Sequence, residues 1–206
     1  MPSSLQHTPR ASLSIAAGLT LALGALWVPS VNAEPRTYEI DPDHFSIGFL
    51  TEHVGYADTL GMFLDGRGEF VYDEQTRELH SGTVEIATDS VFTNHEERDN
   101  HLRSDDFLDA SRHSTIVFEV TDFTAHSDSE GTLEGDLSLL GETHPVTLEV
   151  TLNKADAYPF GHEQHTLGLS VRTTIARSNW GMTYGVENGL VGDEVALILE
   201  LEAIRQ

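Results

Sequence analysis

Val146-Thr147-Leu148-Glu149-Val150-Thr151-Leu152-Asn153 alternates without a fault, with even-numbered residues apolar and odd-numbered residues polar. A period of two marks a strand with one face buried and the other in water. The pattern extends in both directions. Leu133, Leu137 and Leu139 share one face, while Glu134, Asp136 and Ser138 share the other. Leu167, Leu169, Val171 and Ile175 alternate with Thr166, Ser170, Arg172 and Thr174, and Val84 and Ile86 lie between Thr83, Glu85 and Ala87. Read this way, the chain holds about eight strands, over 37–50 (broken at Asp41-Pro42), 60–72, 79–91, 113–124, 131–140, 143–153, 165–177 and 193–205. Ser129-Glu130-Gly131, Gly141-Glu142 and Gly192-Asp193 supply turn chemistry between them.

One segment departs from this regime. Thr93-Asn94-His95-Glu96 has capping-box spacing, and the charge-rich stretch 94–109 lacks alternation, so it is predicted to be a short helix. Strands joined mainly by short turns, with one helical insertion, form either a sandwich or a closed barrel. A barrel of about eight strands is filled by side chains or holds one slender ligand. The inward residues would be Leu, Val, Ile and Phe, so a cavity here would be apolar and suit an apolar molecule.

Composition removes whole classes of function. The chain of 206 residues has no cysteine, which excludes disulfides, thiolate metal sites and cysteine nucleophiles. Eleven basic residues against 34 acidic ones give a net charge of -23, which repels nucleic acid and anionic lipid head groups. Lys154 is the only lysine; such an acidic, lysine-poor surface suits an exported protein in high salt, where self-repulsion is screened.

The N-terminus reads as an address. An apolar and small-residue run from Leu13 to Val28 follows Arg10, and Val31-Asn32-Ala33 places small residues before a cleavage point. The expectation is a cleaved Sec-type signal peptide over 1–33 and a periplasmic mature chain over 34–206. The run is shorter than the roughly 20 residues of a spanning helix, although an uncleaved anchor is the alternative.

Catalytic motifs are absent: no nucleophile elbow, P-loop or dinucleotide fingerprint occurs. His162-Glu163-Gln164-His165 is one residue short of a zinc motif and reads as a solvated loop. Asp41-Pro42-Asp43-His44 reads as a turn entering a strand. Neither a cofactor nor a metal is expected. Two basic clusters stand out. Arg98-Asp99-Asn100-His101-Leu102-Arg103 could hold an anionic head group, or could form an ion-pair net with Asp99, Asp105, Asp106 and Asp109. Arg177-Ser178-Asn179-Trp180-Gly181-Met182 reads as a flexible apolar lip or as a loop plugging the barrel end.

Taken in order, these fragments resemble the YceI-like family, the polyisoprenoid-binding, lipocalin-like periplasmic proteins. The match begins at Tyr38-Glu39-Ile40-Asp41-Pro42-Asp43-His44-Phe45-Ser46-Ile47-Gly48-Phe49, with His53, Gly55 and Gly61-Met62-Phe63 following. It is most specific from Thr93 to Arg103 and at Asp106-Phe107-Leu108-Asp109. It continues through Ile116-Val117-Phe118, Gly135 to Val146, Ile175 to Met182, and Gly192-Asp193-Glu194-Val195. Phe45, Leu108 and His113-Ser114 depart from the family's usual residues at packing positions. The resemblance implies an all-β, extended eight-stranded antiparallel lipocalin-like barrel with one helical insertion. It implies a long-chain isoprenoid or similar lipid held in an apolar tunnel, with no catalytic residue, and it leaves a homodimer open. The apolar faces offer Ile47, Phe49, Val84, Ile86, Phe118, Val120, Leu137, Leu139, Leu148, Val150, Leu169 and Val171 as tunnel lining. Arg98, His101 and Arg177 are the residues expected to meet a polar head. Two other readings stay open. One is an enzyme acting on a hydrophobic substrate with His53 or His101 as base; the other is a filled, ligand-free stress or partner-binding barrel.

Overall fold

The computed structural model describes residues 34–206, so the expected signal peptide over 1–33 lies outside the described residues. The strands are β1 (Arg36–His53), β2 (Ala57–Phe63), β3 (Gly66–Asp73), β4 (Glu78–Ala87) and β5 (Val91–Phe92), then β6 (Thr115–Ala125), β7 (Glu130–Leu139), β8 (Glu142–Ala157), β9 (His165–Ala176) and β10 (Val191–Arg205). Helix α1 (Glu96–Arg103) lies between β5 and β6. Every pairing is antiparallel, in the order β10-β9-β8-β7-β6-β4-β3-β1, and β10 pairs with β1 to close an eight-stranded barrel. Closure removes the exposed edge that an open sheet would leave.

The expected strand over 60–72 is two strands, because the chain bends at Leu64 and Asp65. Their backbone N–H groups are taken by Ser90 Oγ at 3.1 and 3.2 Å instead of by a ladder. The bend lets β2 pair with the later half of β1 and β3 with its first residues, while β2 also carries the short β5. The break expected at Asp41-Pro42 is a bulge inside one continuous strand. Ile40 faces Ala203 and Phe45 faces Leu201, so four residues of β1 bow out opposite Glu202. Pro42 has no N–H to give a ladder, and bulges absorb such residues.

The helix is shorter than expected, and its cap differs. Asn94 takes a positive φ of 59°, which separates Thr93 from the first turn. The N-cap is therefore His95, whose Nδ1 accepts the Arg98 N–H at 3.3 Å. The helix stops at Arg103 because Asp105, Asp106 and Asp109 would set negative charge against the negative end of its dipole.

At the near end of the barrel lie α1 and the short 3-10 turn Arg177–Trp180; at the far end lie the turns over 74–77, 126–129 and 158–164. Two core clusters follow this division. Phe49, Val91, Phe107, Leu108, Trp180 and Met182 belong to the near-end cluster. Tyr38, Ile40, Leu167, Leu201 and Ala203 of β1, β9 and β10 form the far-end cluster, with Phe70, Tyr72, Val84 and Leu152 packed against it.

Candidate functional site: an apolar barrel cavity

Between the two clusters lies a cavity of about 700 Å³. The inward rows of all eight barrel strands border it, and they are almost wholly hydrocarbon. Among the expected lining residues, Ile47, Phe49, Val84, Ile86, Phe118, Val120, Leu137, Leu148, Val150, Leu169 and Val171 border this space. Leu139 does not. It is buried in the near-end core cluster with Trp180 and Met182, beyond the reach of the open volume. Val84, Ile86, Phe118, Val120, Val150 and Leu169 point inward yet are only half-buried, because their inner faces meet open space rather than one another. The barrel is hollow.

Glycine keeps it so. A methyl group at Gly61 would lie 2.1 Å from the Phe49 ring, one at Gly135 would lie 2.3 Å from Phe118, and one at Gly131 would lie 2.6 Å from Phe123. Each ring rests over a glycine on a neighbouring strand, against the wall instead of across the lumen. Alternation alone marks which residues face inward, but says nothing of whether a ring stands in the lumen or lies along the wall. Phe63, Phe70, Tyr72 and Phe123 also border the cavity and were not singled out from sequence. Their signal was present as aromatic residues within the expected strands 60–72 and 113–124.

The near end is filled on one side. Trp180 is buried and donates its indole N–H to the Leu137 carbonyl at 3.0 Å, and His144 meets the indole edge-on. Of the two readings of Arg177 to Met182, the plugging loop holds. Arg177 is the strut of that loop. It is 2% exposed, and its guanidinium donates to the carbonyls of Gly192 (2.8 Å), Met182 (2.7 Å), Tyr184 (2.8 Å) and Val191 (3.0 Å). Desolvation lowers its pKa, opposed by the charge of Asp193. Arg177 borders the cavity, but its donors are spent on backbone, so it has little left for a head group.

Arg98 and Arg103 are also tied to backbone. Arg98 donates to the Thr93 hydroxyl and carbonyl, both at 2.7 Å, and Arg103 to the carbonyls of Asp89 and Val91, both at 2.7 Å. The expected ion-pair net takes a different form: Asp109 pairs with Arg112 at 2.5 Å, and Asp106 with His101 at 2.8 Å. Asp99 is buried. Desolvation raises its pKa, but the hydroxyl and backbone N–H of Thr93, with Arg103 and Arg98 nearby, outweigh this and hold it below the usual carboxylate range. The expected Thr93 cap is therefore a clamp on Asp99. Arg98 and His101 both border the cavity. His101 stands edge-on to Phe107 and Tyr184, with ring centroids 5.0 and 4.9 Å away. Of the three expected head-group residues, His101 is the one not committed to backbone.

The other two motifs are structural. His165 Nε2 lies 2.9 Å from Glu74, while His162 sits in the 158–164 turn, so the two histidines do not converge. Asp41 and His44 form an ion pair at 2.6 Å on the outer face, with Glu202 3.6 Å from the same imidazole nitrogen.

The fold and cavity thus define a class: a closed antiparallel barrel with an apolar interior. A YceI-like domain matches residues 38–203, and the chain belongs to the YceI-like family. It is 37% identical over 188 residues to the UPF0312 protein of Pseudomonas aeruginosa (strain LESB58), covering 90% of this chain and 96% of that one. Among solved structures it superposes on Burkholderia cenocepacia BcnA with a TM-score of 0.71 at 18% identity, covering 79% of this chain and 98% of that one. It also superposes on a polyisoprenoid binding domain from Saccharophagus degradans, with a TM-score of 0.60 at 13% identity, covering 82% and 98%. At these identities the structural likeness establishes the barrel.

Proposed function

We propose that this protein is a periplasmic binding or carrier protein that holds a long-chain isoprenoid, or a similar lipid, in the barrel. The observation that carries this reading is the cavity of about 700 Å³ walled by aliphatic and aromatic side chains. Each methylene buried there contributes about 0.8 kcal/mol, so a long hydrocarbon binds without specific polar contacts. The isoprenoid class is supported by family membership and by the polyisoprenoid binding domain among its structural neighbours. Export rests on the N-terminal apolar run and its small-residue flank. The hollow interior favours a ligand over the filled-barrel alternative.

The head group is placed beside His101 and Arg98, where the apolar wall meets polar side chains. The test is calorimetric titration of delipidated protein with a polyprenyl diphosphate and with the matching polyprenol. Both bind under this reading, and His101→Ala weakens the diphosphate several-fold while leaving the polyprenol within twofold. Absence of binding by either compound would remove the lipid reading. An equal loss for both in the variant would move the head group elsewhere.

A further inference from the structure

The barrel wall is unequally closed. β9 and β10 share eleven register pairs and β7 and β8 share ten, whereas β4 and β6 share five, Thr83–Ala87 against Thr115–Glu119; β1 and β3 share four, but β2 continues that wall with seven more pairs to β1. Beyond Thr83 and Glu119 the ladder ends, although Gly82 and Val120 still lie against each other. Residues 78–82 pair only with β3, and residues 120–125 only with β7. Both strands bulge at this point. His80 is skipped in the β3–β4 register and Thr121 in the β6–β7 register. A bulge bends its strand and increases its twist, so a pair of them on facing strands turns two edges away from each other.

The cavity reaches this seam. Leu79 and Gly82 from β4, and Val120 and Phe123 from β6, border it. Beside the seam the cavity is also bordered by Arg77, Ala125 and Ser127 to Glu130, at the two turns that flank it. Outside, the seam is crossed by one strap. Arg77 pairs with Asp128 and donates to the Ser127 carbonyl at 3.3 Å. With side chains 45% and 91% exposed, this pair is screened by water and yields easily. At the near end, Trp180 and the loop braced by Arg177 fill one side, while α1 and residues 184–191 border the cavity on the other.

We propose that the seam between β4 and β6 is an outlet for the ligand's tail: an apolar chain longer than the cavity leaves the barrel between Leu79 and Phe123. This rests on the lipid reading above and deepens it, because it makes the β4–β6 wall the feature that admits chains longer than the cavity. A closed barrel would force a long chain to double back or to leave its head outside. An open seam accepts long and short chains alike.

The chain has no cysteine, so a disulfide can be introduced singly. A Cβ at Gly82 lies 3.7 Å from Val120 Cβ, within the usual disulfide range of about 3.5–4.5 Å. The test measures the affinity of Gly82→Cys/Val120→Cys, oxidised and reduced, for a short and a long polyprenol. Oxidation is expected to weaken the long chain by about tenfold or more, equivalent to about two unburied methylenes, and to leave the short chain unchanged. Reduction restores the long chain. Leu79→Trp, which fills the outlet without a crosslink, is expected to show the same length-selective loss. Unchanged long-chain affinity in both variants, or a parallel loss for both lengths, would overturn the outlet. If the unaltered protein binds neither polyprenol, the lipid reading itself fails and the outlet falls with it.

Discussion

Arg177 shows how a residue's chemistry can point to a ligand while its surroundings assign it another task. A guanidinium beside an apolar cavity suits a phosphate, but four backbone carbonyls, two in the loop and two at the start of β10, already hold this one. Arg177→Ala would leave those carbonyls without their donor, and the expected cost is about 3 kcal/mol or more, read from the urea midpoint. A stability change below about 1 kcal/mol with lost ligand affinity would instead return it to the head-group site. Asp99 gives a pH dependence. Its pKa is depressed in the folded protein, so its contribution is present above the unfolded value of about 3.9 and is lost as pH falls through the lower folded value. Asp99→Asn should therefore cost stability near neutral pH and narrow its gap to the unaltered protein on acidification below about pH 4. Urea midpoints across that range check this, and a gap that widens in acid would contradict it.

At the scale of the element, a strand's inward face was legible from its period, and the use of that face was not. Leu148 and Val150, or Leu169 and Val171, announce their direction by alternation and border the cavity as expected. Leu139 continues the same alternation but sits at the end of β7 in the near-end core. Alternation fixes a side, not a depth along the barrel axis. The capping box at Thr93 failed for a local reason: Asn94 adopts a positive φ and shifts the helix start. The glycine rests were invisible, since Gly61, Gly131 and Gly135 matter only through the phenylalanines that neighbouring strands bring over them. Gly135→Val should drive the Phe118 ring into the lumen. The expected outcome is a stability loss of about 1–3 kcal/mol and a clear fall in the amount of polyprenol bound at saturation. Unaltered uptake would mean that the ring finds room along the wall.

For the whole molecule, charge and cavity divide the work. The chain carries a net charge of -23, while the interior of the barrel is hydrocarbon. An all-β chain of antiparallel strands was readable from strand count and turn spacing, and the choice of barrel over sandwich came from the family resemblance. Hollowness was not, because it depends on how β1 to β10 curve and on which large side chains lie flat. Nor was the seam between β4 and β6, which arises from bulges at His80 and Thr121 that no period-two pattern encodes. The central claim is that the cavity holds a long-chain isoprenoid. Mass spectrometry of an organic extract of the natively purified protein, beside a matched blank, tests it most directly. The account predicts about one isoprenoid per chain. An extract free of isoprenoid, with no uptake after incubation with polyprenyl lipids, would contradict it.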